Sequence, residues 1–132
     1  MIDCENEVFT RVAAMLRSTF PGISVAGEYI NAPSAFPHVS IVMSDNSVVF
    51  SCLDSGDNEV DLALFEINIY SNKTTGRKTE CRKIARAIDG LLCRMNFRRM
   101  SMIPVPNVAN AAIYRITARY RVATDGKYFY RR

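Results

Sequence analysis

The chain has 132 residues, of which 48% are apolar and 23% are charged, with a formal net charge of +4. This length and balance suit one compact domain with a buried core, residues 1–132, and exclude wholesale disorder. The sequence contains no run of 18 apolar residues, and its N-terminus is acidic with no apolar stretch behind it. We therefore expect an intracellular protein with no secretory signal and no membrane partner.

The first half of the chain predicts one helix followed by strands. Apolar residues recur at helical spacing over residues 4–19, with Asp3 as the predicted N-cap and Pro21-Gly22 as the stop. Residues 23–30 and 38–44 read as strands, and Asp45-Asn46 as a turn before a weaker strand over 47–53. A stronger strand follows over 59–70.

The second half predicts a second helix followed by more strands. The helix begins near residues 75–79 and ends near Met95, because its apolar residues recur every three or four positions. Strands are expected over 97–105 and 111–123, and a last short strand over 127–130 after the turn signal Asp125-Gly126. The expected class is α+β, in the order α-β-β-β-α-β-β. It would have a mostly antiparallel sheet of about four to six strands and both helices on one face.

Charge is distributed unevenly along the chain. Residues 1–66 hold ten acidic and two basic side chains, whereas residues 67–132 hold three acidic and fifteen basic ones. This bias predicts one acidic and one basic surface. Two interpretations follow: the basic surface contacts nucleic acid, or the acidic surface of one copy contacts the basic surface of the next in a head-to-tail ring.

Two sets of basic residues stand out. The outer face of the second helix carries five bases in its N-terminal half, where the helix dipole disfavours cations. The 111–123 strand alternates arginines with Tyr114 and Tyr120, which puts these tyrosines on the opposite, core face. Nucleic-acid-binding sheets usually carry stacking aromatics on the basic face, so this pattern argues against oligonucleotide reading.

Motifs for catalysis, metals and cofactors are weak. The acidic stretch at residues 54–59 lacks EF-hand spacing, and Gly76-Arg77-Lys78-Thr79 lacks the upstream glycine of a phosphate loop. The single histidine, His38, and four scattered cysteines do not form a zinc pattern, so the cysteines read as small buried residues. We therefore expect no enzyme activity, no cofactor and no metal.

The order of elements and several local signatures resemble one known family. The signatures are Phe20-Pro21, Glu28, Phe36-Pro37-His38-Val39-Ser40-Ile41, Glu66-Ile67-Asn68-Ile69-Tyr70-Ser71, Gly76-Arg77, Asn96-Phe97-Arg98, Pro106-Asn107 and the strand over 114–120. Together they span nearly the whole chain. They resemble the tail terminators of long-tailed bacteriophages, which are also described as minor capsid or head–tail joining proteins.

The resemblance implies a non-enzymatic virion protein, assembled in the bacterial cytoplasm, with six copies in a ring on the tail tube. One ring face would bind the tail tube protein and stop its growth, the other would bind the head-closure protein, and DNA would pass through the pore. It carries no active-site residues. Alternatives are another phage neck, head-completion or tail-assembly protein, and a small basic nucleic-acid-binding module. The candidate interface or channel residues are Arg77, Lys78, Arg82, Lys83, Arg86, Arg115, Arg119, Arg121, Asp54, Asp57 and Glu59.

Overall fold

A computed structural model describes residues 2–30, 33–50, 60–106 and 111–130. Within these ranges the chain forms an α+β fold in the predicted order, which confirms the expected class. The elements are α1 (Glu5–Thr19), β1 (Ser24–Ala26), β2 (His38–Phe50), β3 (Val60–Ser71), α2 (Arg77–Arg94), β4 (Arg98–Pro104), β5 (Tyr114–Thr124) and β6 (Phe129–Tyr130).

One sheet contains all the described strands. Its order is β1-β2-β3-β5-β4, with β6 paired to the end of β5. The β1–β2 pair is parallel and the other pairs are antiparallel, so the sheet is mostly antiparallel as predicted. β3 and β5 lie side by side, although α2 and β4 separate them in sequence.

Both helices cover the same face of this sheet. Alternation in β3 turns Ala63, Phe65, Ile67 and Ile69 toward the helices, and all four are fully buried. Helix packing completes the core with residues at helical spacing, namely Val8, Val12 and Leu16 from α1 and Cys81, Ile84, Ala85, Ile88 and Leu92 from α2. The apolar periods read from the sequence are therefore the ones that build the core.

The predicted turn at Asp45-Asn46 is wrong, because β2 continues through it. A β-bulge lies between Met43 and Asp45, and pairing with β3 resumes beyond it. The Met43 amide donates to the Glu5 carboxylate at 2.6 Å, and the Asn46 side-chain amide donates to the Ile2 carbonyl at 2.7 Å. Contacts with the N-terminal segment thus satisfy polar groups that would otherwise favour a turn.

Two further boundaries differ from the prediction. β1 is three residues long, rather than spanning 23–30, because only Ser24–Ala26 pair with β2. Cys4, not Asp3, occupies the N-cap position of α1, and it makes no side-chain capping bond. The Asp3 carboxylate still accepts the Glu5 amide at 3.0 Å, so it stabilises the helix start from one position further out.

Candidate functional site

The outer face of α2 carries the predicted cluster of bases. Lys78, Arg82, Lys83 and Arg86 are exposed, and Arg77 is half-buried. Within the described residues, no ion pair joins any of the five to a carboxylate. Glu80 on the same helix is already occupied, since it pairs with Lys73 at 3.0 Å and accepts the Ser71 hydroxyl at 2.6 Å. This face therefore presents positive charge to whatever lies beside it.

A groove runs between this helix and the β4–β5 edge of the sheet. It consists of two adjoining depressions, of about 270 and 430 Å³, that share Pro104 and Tyr114. We call it the basic groove; its lining is Arg77, Arg82, Ala85, Arg86, Arg99, Met102, Ile103, Pro104, Val105, Pro106, Ala111, Ile113, Tyr114, Arg115 and Ile116.

The basic groove combines arginines with apolar surface. Arg82 and Arg86 are exposed along α2, and Ile103 on β4 remains 51% exposed. Guanidinium groups bind carboxylates through paired hydrogen bonds, and the apolar side chains beside them favour an occupant that is not uniformly polar. The groove is thus suited to an acidic peptide segment with a few apolar residues.

A polar clamp fixes α2 against the sheet at one end of the groove. The buried Tyr120 hydroxyl on β5 donates to the Asp89 carboxylate on α2 at 2.8 Å, and Arg99 on β4 pairs with the same carboxylate at 3.3 Å. Burial and the hydrogen bond to Asp89 both raise the pKa of Tyr120, so the phenol stays protonated and remains a donor. The clamp holds the helix and the two strands that form the groove walls.

The predicted arginines of β5 lie on the sheet face away from the helices, and two of them have partners within the fold. Arg119 pairs with Glu66 on β3 at 3.0 Å. Arg115 donates to the Asn68 side-chain oxygen at 3.0 Å. Arg121 is half-buried on the same face.

Aromatic rings also lie on this face, which the sequence argument missed. Tyr114 and Tyr120 do point toward the helices, as predicted, but Arg115 has the rings of Tyr29 and Tyr70 within 5.4 and 5.7 Å. Burial raises the pKa of Tyr70 to about 12. The signal was present in the sequence, since Tyr70 has the same strand parity as Glu66 and Asn68. The contacts tie Arg115 to its own sheet.

The structure thus separates the predicted site residues into groups. Arg77, Arg82 and Arg86 line the basic groove from α2, and Arg115 borders its end although its guanidinium lies on the other face of the sheet. Lys83 lines a different depression beside Gly76 and Glu80. Lys78 is exposed on α2 and lines neither, and Arg119 and Arg121 lie on the other side of the sheet. The predicted acidic residues Asp54, Asp57 and Glu59 lie outside the described residues. Sequence reasoning missed Met102, Ile103 and Ile116, because strand pairing and helix packing bring them to the groove.

The other candidates for chemistry are mostly buried. Burial raises the thiol pKa of Cys4 to about 11 and that of Cys81 to about 12, and Cys93 is half-buried, while Cys52 lies outside the described residues. His38 is buried, with Nδ1 2.9 Å from the Ser24 hydroxyl, and burial lowers its pKa.

The described residues hold neither a cluster of metal-ligating side chains nor a membrane-spanning helix. No group of three potential metal-ligating side chains occurs in residues 2–30, 33–50, 60–106 and 111–130. Neither helix in this part of the chain is long and apolar enough to cross a membrane.

Comparisons with known proteins give a distant structural similarity. No family model matches the sequence, and no curated protein matches it. Among solved structures, the chain is similar to one from the virion of a native gene transfer agent particle, with 13% identity and a TM-score of 0.43. That alignment covers 89% of this chain and 88% of the other. A similarity of this degree does not establish a shared function, so function is inferred below from the residues themselves.

Proposed function

We propose that the protein is a non-enzymatic virion component, a ring-forming tail terminator of a long-tailed bacteriophage. Its 132 residues act as one domain, and six copies close into a ring on the last ring of tail tube protein. The ring stops tube growth, binds the head-closure protein on its other face and lets DNA pass through the pore. Assembly takes place in the cytoplasm of the bacterial host.

The observation that carries this proposal is the separation of charge along one short chain, with acids concentrated in residues 1–66 and bases in residues 67–132. Along the sequence, the acidic residues 54, 57 and 59 come between β2 and β3. The bases of α2, which form no ion pair within the described residues, come just before β4. A subunit with complementary surfaces at different places makes heterologous contacts, which close into a ring when the rotation between copies permits. The element order and local signatures that resemble tail terminators support the same assignment.

The decisive experiment is negative-stain electron microscopy of a lysate of the parent phage with this gene deleted. We expect full heads beside free tails of irregular and excessive length, and complementation with the wild-type gene should restore joined particles of uniform length. Tails of normal length that fail to attach would move the protein to the head side of the neck. Intact infectious particles would refute a structural role.

The exposed bases of α2 also favour a second function, binding of nucleic acid. That function predicts affinity for duplex DNA that falls steeply and log-linearly with salt. Replacing Arg82, Lys83 and Arg86 with Glu should abolish such binding, whereas the tail terminator needs no tight binding to free DNA. Electrophoretic mobility shifts over a salt series, with Lys127→Glu as a control, separate the two functions.

A further inference from the structure

We propose that the basic groove of one copy binds the acidic segment of a neighbouring copy, residues 51–59. This inference rests on the proposed function in so far as that function requires copies to contact each other. It adds which two parts of the chain meet, and in which direction.

The groove contributes positive charge beside apolar surface. Arg82 and Arg86 are exposed and, within the described residues, form no ion pair, whereas Arg99 is already paired with Asp89. Met102 on β4 and Tyr114 on β5 are partly buried and line the same groove. The exposed guanidinium groups of Arg82 and Arg86 are therefore available to bind carboxylates, next to side chains that gain from being covered.

The acidic segment has the complementary chemistry. Its sequence, Ser-Cys-Leu-Asp-Ser-Gly-Asp-Asn-Glu, holds three carboxylates, no base and the apolar residue Leu53. Apart from stretches that overlap this segment, the only nine-residue stretches of the sequence with three acids and no base are 1–9 and 2–10. In α1, Glu5 is already bonded to the Met43 amide. Charge complementarity therefore points to residues 51–59.

Distance excludes contact between the segment and the far end of the groove in the same copy. The segment connects the end of β2 to the start of β3. At that start, Asp61 of β3 pairs with Thr124 of β5. Tyr114, in the groove, lies ten residues further along β5, which is about 33 Å at the usual rise of a strand. A nine-residue connection held at both ends reaches at most about 17 Å from them. The segment of the same copy therefore does not reach the Tyr114 end, and we assign the occupant of the groove to a neighbouring copy.

The direction of the contact follows from the same geometry. Each copy offers an acidic segment at one end of its sheet and a basic groove that extends to the other, so the contact joins unlike surfaces. A contact of this kind leaves a free groove and a free segment on every pair, and association continues until a ring closes.

Reciprocal charge reversal tests this contact. One variant carries Arg82→Glu and Arg86→Glu, and the second carries Asp54→Lys, Asp57→Lys and Glu59→Lys. Each variant alone should self-associate at least ~tenfold more weakly than the wild type, because every contact then joins like charges. An equimolar mixture should recover association, since each variant's segment complements the other's groove. A chain with all five substitutions should recover it as well.

The matched control is Lys78→Glu with Lys83→Glu. It reverses the same number of charges on the same helix, but neither lysine lines the basic groove. Its self-association should stay within about threefold of the wild type, because exposed charges outside a contact contribute little. Circular dichroism and thermal denaturation of every variant verify that each one folds.

Association is measured by sedimentation velocity over a concentration series, and again after incubation with tails purified from the gene-deleted lysate. The inference is overturned if either charge-reversal variant self-associates as strongly as the wild type. It is also overturned if both variants fold but their equimolar mixture does not associate. A wild-type protein that is monomeric both alone and on tails overturns it as well. If the gene-deleted phage makes tails of uniform length and the mixture of variants recovers association, tail termination is rejected and the proposed contact stands. If the gene-deleted phage makes tails of irregular length and the charge reversals do not change self-association, the proposed contact is rejected and tail termination stands.

Discussion

The clamp that joins α2 to the sheet leads to a quantitative prediction for Tyr120→Phe. The substitution removes only the hydroxyl, which donates to Asp89 at 2.8 Å, and leaves the ring in a fully buried site. A hydrogen bond to a charged group contributes about 1.5–3 kcal/mol. The lower part of that range applies, because Asp89 is 27% exposed and keeps its contact with Arg99, so no carboxylate is left stranded.

We expect Tyr120→Phe to lower the free energy of unfolding by about 2 kcal/mol. For a chain of this length that corresponds to a melting temperature about 6–10 °C lower. Arg99→Ala should cost less than about 1 kcal/mol, because its side chain is 51% exposed and the ion pair with Asp89 is screened by water. The order of the two effects follows from burial alone.

Urea denaturation followed by circular dichroism measures both values, and a double-mutant cycle with Asp89→Asn isolates the coupling between the hydroxyl and the carboxylate. A coupling near zero, or a larger loss for Arg99→Ala than for Tyr120→Phe, would refute the reasoning. Because phenylalanine keeps the buried ring, the loss of stability in Tyr120→Phe does not come from a cavity.

Three further predictions concern burial and titration. Burial lowers the pKa of His38 below its usual 6.5, so the unfolded chain takes up the proton at a higher pH than the folded protein. The free energy of unfolding should therefore fall as the pH drops through 6.5. His38→Gln should reduce this pH dependence, as measured by thermal denaturation above and below that pH. Iodoacetamide should label half-buried Cys93 before Cys81, whose thiol pKa is about 12, and peptide mapping that gives the reverse order would contradict the assigned burial. Ile88→Ala should cost about 2–5 kcal/mol in urea denaturation, whereas Ile103→Ala, at a 51% exposed site, should stay within about 0.5 kcal/mol.

Periodicity predicted the elements that are buried on one side. In β3, β5 and α2 the apolar residues recur at the strand or helix period, and this pattern correctly predicts which residues face the core. The Asp45-Asn46 turn was wrong because β2 continues past a β-bulge and the Asn46 side chain donates to the distant Ile2 carbonyl. That bond joins residues 44 positions apart, which local patterns do not record.

The candidate site divides in the same way. The bases of α2 were predictable, because one helix face carries them. The groove was not predictable, because it forms only where α2 packs beside β4 and β5, and the sequence does not record that packing. The partners of Arg115 were not predictable either. The strand pattern placed it on an exposed face, whereas in the structure it donates to Asn68 and lies over the rings of Tyr29 and Tyr70.

The pairing of β3 with β5 has a consequence for how the chain folds. Ser71 pairs with Tyr114 and Asp61 with Thr124, so the ladder joins residues 43 and 63 positions apart. Contacts this distant in sequence form slowly, and the apolar face of β3 has only part of its cover until β5 has been synthesised. A chain ending before Tyr114 would expose the edge of β3 and be prone to aggregate. The basic half of the protein thus completes the folding of the acidic half.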